Sequence, residues 1–128
     1  MAGRKNIPKK INETVYQIKV TLKESKPLIW RRVQVPGSVT LHRLHMILQY
    51  VMGWTNSHLY RFDIAGTEYS LPDPDGELHF VDSRRNRLNK VVSMEKTGFL
   101  YEYDFGDGWN HEILIEKILP AESAGQYP

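Results

Sequence analysis

The sequence predicts an α+β fold, a β-grasp-like mixed sheet with one main helix packed across it and a C-terminal β-hairpin. Three observations carry this. Residues 14–35 alternate polar and apolar side chains in two runs separated by a turn. Residues 41–52 carry the only long stretch with a helical apolar period. Residues 99–118 hold two strand-like runs around Asp107-Gly108, a dipeptide suited to a tight hairpin turn.

The elements follow in order. From Thr14 to Lys23, Tyr16, Ile18, Val20 and Leu22 share one face, and Val15, Gln17, Lys19 and Thr21 the other. That period of two is a half-buried strand with the first set inward. Glu24-Ser25-Lys26-Pro27 breaks it, and a second strand runs from Ile29 to Val35 before Pro36-Gly37. Thr40 is placed to cap a helix to about Met52, with Leu41, Leu44, Leu48 and Val51 as its apolar stripe. Gly53 suits the left-handed residue that ends such a helix, and Trp54 is expected to fold back on it. Ser57 to Ile64 reads as a third strand and Glu68 to Leu71 as a short fourth. Pro72 to Lys90 is polar, holds two prolines and reads as an irregular excursion, after which Val91, Val92 and Phe99 rejoin the core. With Asp107-Gly108 as a two-residue turn, Gly106 pairs with Trp109, Phe105 with Asn110, and Asp104 with His111.

Composition restricts the function. The chain has 128 residues, the size of a single domain, and no cysteine, which excludes disulfides and thiolate metal sites. No apolar run has the length of a membrane helix, and Met1-Ala2-Gly3-Arg4-Lys5 lacks the apolar stretch of a secretion signal, so a cytoplasmic location is expected. The net charge of +2 divides unevenly: residues 1–13 carry four basic side chains and Glu13, leaving 13 basic against 14 acidic elsewhere. Residues 1–13 are accordingly read as a basic flexible tail, 14–120 as the single domain and 121–128 as a C-terminal tail. A near-neutral body argues against a phosphate-binding face.

The chemistry-bearing residues are few. Asp104 and His111, if cross-strand partners, stand close enough to act together, with Trp109 and Asp107 beside them. Such a carboxylate–imidazole pair can serve as a general base or metal ligand, and equally as an ion pair that finishes the sheet edge. The chain offers no nucleophile motif, which favours the ion pair, and no catalytic residue is assigned. A metal centre would have to recruit His58, His45, His42 or Asp82; His42 and His45 are three apart on the helix, but nothing identifies a full ligand set, so no metal or cofactor is expected. Arg84, Arg85 and Arg87 could grip a phosphate or an acidic partner from their loop, whereas Arg31 and Arg32 point to opposite faces of a strand. Tyr101, Tyr103 and Phe105 alternate on one strand face and are assigned to the core.

The segments Ile29-Trp30-Arg31-Arg32-Val33-Gln34-Val35-Pro36, Leu44-His45 through Gln49, Gly53-Trp54 with His58-Leu59, and Tyr101-Glu102-Tyr103-Asp104-Phe105-Gly106-Asp107-Gly108-Trp109-Asn110-His111 resemble the plasmid pRiA4b ORF-3-like family. The resemblance covers roughly residues 14–120. It implies a prokaryotic intracellular protein associated with plasmids or mobile elements, and brings no activity or catalytic residue with it. Similar proteins commonly continue into a cysteine-bearing, Pro-rich segment that this sequence lacks, as a shortened form would. The function expected is a non-enzymatic binding or accessory module that engages a protein partner, with Asp104, Asp107, Trp109, His111 and His58 as candidate binding residues. Nucleic-acid binding through the basic tail and Arg84–Arg87 is the first alternative, and a metal-dependent hydrolase built on Asp104 and His111 the second.

Overall fold

A computed structural model describes residues 13–121. Seven strands form one sheet: β1 (Thr14–Leu22), β2 (Ile29–Pro36), β3 (Tyr60–Ile64), β4 (Thr67–Ser70), β5 (Val81–Asp82), β6 (Gly98–Tyr103) and β7 (Trp109–Pro120). Their order is β2-β1-β7-β6-β3-β4-β5. Every pairing is antiparallel except β4 with β5, which makes the sheet mixed. One main helix, α1 (Leu41–Met52), crosses one face, and a four-residue helix α2 (Leu88–Val91) follows a 3₁₀ turn at Ser83–Arg85.

The expected inward residues of β1 are all buried, and Val33, Val35, Phe62, Tyr101, Ile113 and Ile115 extend the same apolar layer under α1. Leu41, Leu44 and Leu48 press into it from the helix. Thr40 Oγ1 accepts from the Arg43 amide at 3.1 Å, the predicted cap. At the other end Gly53 takes φ 79°, and the Gly53 and Trp54 amides donate to the carbonyls of Tyr50 and Gln49. This left-handed closure turns Trp54 back against the core. Gly37 has a different reason: a Cβ there would lie 2.7 Å from Thr14 Oγ1 and 2.8 Å from the Tyr16 ring.

Two expectations need correction. The Pro72–Lys90 excursion is not irregular throughout. Asp82 ends the two-residue strand β5 and caps the 3₁₀ turn by accepting from the Arg84 amide at 2.9 Å. Leu88 is fully buried, and its amide donates to Val39 O while the Leu41 amide donates to Asn86 O. The segment thus underpins the start of α1. The hairpin register also differs. The strands end at facing Tyr103 and Trp109, leaving a five-residue loop from Asp104 to Gly108, and Tyr101, not Asp104, faces His111. Asp104 leaves the ladder at φ 64°; its amide donates to Leu59 O and its carbonyl accepts from Gly108.

Candidate functional site

Two regions of this frame collect functional groups: a polar network between α1 and the sheet, and an open groove at the β2 edge. The network forms where α1 crosses the sheet and brings His45 and Gln49 onto Tyr101 of β6. The Gln49 amide nitrogen donates to Tyr101 Oη at 2.8 Å, and Tyr101 Oη lies 2.7 Å from His45 Nδ1. His45 Nε2 lies 2.8 Å from Asn56 Oδ1, and the Asn56 backbone amide donates to Gln49 Oε1 at 2.7 Å. Each group finds a partner when His45 is neutral, accepting from the phenol at Nδ1 and donating from Nε2. Burial drives that neutrality: the His45 pKa is lowered to about 4, despite the Asn56 bond that acts the other way. Burial also raises the Tyr101 phenol above its ordinary value.

His111 closes a second part of the network. Trp54 Nε1 donates to His111 Nε2 at 3.1 Å, and His111 Nδ1 stands 3.2 Å from Tyr101 O. This imidazole is also buried and shifted towards the neutral form by burial. Tyr60 connects outward, 2.9 Å from His42 Nδ1 and 2.6 Å from the buried Ser83 hydroxyl. Its phenol is pushed up to about 12 by burial, so it is no base for Ser83 near neutral pH. The network therefore ties helix to sheet with matched donors and acceptors.

The sequence-chosen residues separate. His111 lies inside the network, away from any pairing with Asp104. Asp104 instead meets His58, whose Nε2 is 3.6 Å from its Oδ2. Asp107 is exposed on the loop. Trp109 is 40% exposed and packs against Trp54, ring centroids 5.5 Å apart. Arg84 holds Asp82 through two nitrogens at 3.0 Å, and Arg85 Nε approaches the same carboxylate at 3.7 Å. That clamp keeps the Asp82 carboxyl at about 2. Arg87 donates to Ser38 O. Among the described residues no group of three or more histidine or acidic side chains is arranged to hold a metal. The basic tail lies outside the described residues, apart from Glu13.

The second region lies along β2, one edge of the sheet. Between this strand and α1 runs a groove of about 410 Å³, floored by Val33, Val35, Ile47 and Val51 and walled by Met46 and Tyr50, with Arg43 at its lip. Tyr50 is 88% exposed. The Gly37 amide donates to Thr14 O at 2.8 Å, so Gly37, Val35, Val33 and Arg31 turn their backbone groups towards β1. By alternation those of Arg32 and Gln34 point away from the sheet. Pro36, which has no amide hydrogen, also falls on the outward side.

A sheet edge beside an apolar groove on an α+β scaffold describes the protein's class in general terms. The model of the family described as plasmid pRiA4b ORF-3-like protein matches residues 14–128, and the chain belongs to that family. It is 46% identical over 109 residues to the uncharacterized protein y4hQ of Sinorhizobium fredii (strain NBRC 101917 / NGR234), a match spanning 84% of this chain and 56% of y4hQ. The chain thus covers about half the length of that relative. Its fold is similar to the crystal structure of MM3350, a protein of unknown function from Methanosarcina mazei Go1. The TM-score is 0.80 with 36% identity, over 93% of this chain and 68% of that one.

Sequence reasoning missed the groove, although a signal was available. Between Glu24 and Asp63 the chain carries no carboxylate, while Arg31, Arg32 and Arg43 fall inside that stretch.

Proposed function

We propose that this domain is a binding module that receives an extended protein segment on β2, the segment adding to the sheet as a further strand. The observation that carries the reading is the β2 edge, unpaired on its outer side among the described residues, beside an apolar groove. Outward amide and carbonyl groups at Arg32 and Gln34 supply a template for main-chain hydrogen bonds, and the groove supplies a pocket for alternate side chains. The opposite edge, β5, is only two residues long and offers no comparable template. The histidines of the network support a binding role over a catalytic one, because both ring nitrogens of His45 and of His111 are engaged inside the protein.

The test is selection of linear peptides from a displayed library, followed by binding to Gln34→Pro and Tyr50→Ala. Proline at 34 removes an amide hydrogen that faces away from β1, so the circular dichroism spectrum should stay native. Selected peptides should bind the parent protein and lose at least tenfold in affinity to either variant. Peptides that bind both variants as well as the parent, or a selection that enriches nothing, would reject the reading.

A further inference from the structure

We infer that the segment received by β2 is acidic, with carboxylates flanking an apolar centre; this rests on the strand-addition reading above. The charge around the groove is one-sided. From Ile29 to Met52, the span of β2, its connection and α1, there are three arginines and no Asp or Glu. Arg32 lies on the far face of the sheet and is matched by Glu116, Nε to Oε1 at 2.7 Å. Arg31 and Arg43 are on the groove side, both exposed, and neither is in an ion pair among the described residues. Among the described residues the Arg31 guanidinium donates to its neighbour's carbonyl, Trp30 O, at 2.8 Å. Arg43, in the first turn of α1, borders the groove together with Pro36. Arg31 stands two residues before Val33 on the same face, towards the other end. The floor between the two cations is apolar. An added strand would thus meet a positive charge at each end of its groove-facing row and hydrocarbon in the middle.

The same charges choose between occupants. A second copy pairing β2 against β2 would bring arginines and no Asp or Glu to both sides of the ladder, so the pair would gain no charge complementarity and would concentrate like charge at the seam. A basic segment would meet the same repulsion. An acidic one gains charge-assisted hydrogen bonds to two guanidiniums that hold no carboxylate among the described residues.

Three capped synthetic peptides of eight residues provide the probe: Glu-Thr-Val-Thr-Val-Thr-Glu-Thr, whose groove-facing row has a glutamate at each end and valines between, and its glutamine and lysine analogues. Fluorescence anisotropy is read at low and high salt on the parent protein and on Arg31→Gln/Arg43→Gln. The glutamate peptide should bind at least tenfold more tightly than the glutamine one, and salt or the double substitution should remove that preference. Equal binding of the glutamate and glutamine peptides, with both lost on Gln34→Pro, overturns the acidic preference and leaves strand addition standing. No binding of any peptide, together with a library that enriches nothing, overturns both. Sedimentation showing a dimer that Gln34→Pro dissolves would assign the edge to a second copy instead.

Discussion

Lowering the pH from 7 to 5 should destabilise the fold, and His45 sets the minimum size of the effect. An unfolded histidine takes up a proton near 6.5, whereas burial holds folded His45 to about 4. Between those values the unfolded chain binds more protons, so stability falls as pH falls, and the contribution is complete only above the unfolded value. Linkage over this interval gives a loss of about 2 kcal/mol from His45 alone. His111 and His42 are shifted the same way, chiefly by burial, and add to it. The carboxylates act lower: Asp82 and Glu116 are both held at about 2, so their contributions fade only below their ordinary values of 3.8 and 4.5. Urea unfolding at pH 7, 6 and 5, followed by tryptophan fluorescence, measures the slope. The parent protein should lose about 2 kcal/mol or more over the two units, and His45→Gln should show a distinctly shallower dependence. Stability that is flat or rises between pH 7 and pH 5 would refute the neutral, fully bonded His45.

Two further substitutions test the frame. Tyr101→Phe removes the hydroxyl that Gln49 donates to and that lies against His45 Nδ1, leaving two buried groups unpaired; a loss of roughly 2–4 kcal/mol is expected by urea unfolding. Leu88→Ala empties a fully buried site beneath α1 and should cost roughly 2–5 kcal/mol in the same assay, whereas an irregular exposed loop would register almost nothing.

Much of the fold was legible because it rests on strong periodicity. The inward set of β1, the α1 stripe and both its caps follow from residue spacing and from Thr40 and Gly53. The hairpin register was misread because a turn dipeptide was given more weight than the side-chain pattern. Pairing Asp104 with His111 would turn Tyr101 and Tyr103 to the opposite face from Ile113 and Ile115, a parity error that the aromatic and aliphatic alternation forbids. Phe99, Tyr101 and Tyr103 on one strand and His111, Ile113 and Ile115 on the other are all buried and all odd-numbered. That coincidence required a longer loop. The Pro72–Lys90 segment was opaque for another reason: its elements are two to four residues long, and side-chain caps and Leu88, not periodicity, hold them. The candidate site was least visible, since an edge strand differs from a central one only in its neighbours. Its one sequence trace was the carboxylate-free stretch between Glu24 and Asp63.

Amide hydrogen exchange, resolved by residue along β2, tests strand addition most directly. In the free protein the amides of Val33 and Val35, directed at β1, should exchange slowly, and those of Arg32 and Gln34 rapidly. With a saturating selected peptide, Arg32 and Gln34 should become protected at least tenfold. Protection confined to other parts of the surface, or Arg32 and Gln34 amides that exchange as fast with peptide as without, would contradict the account.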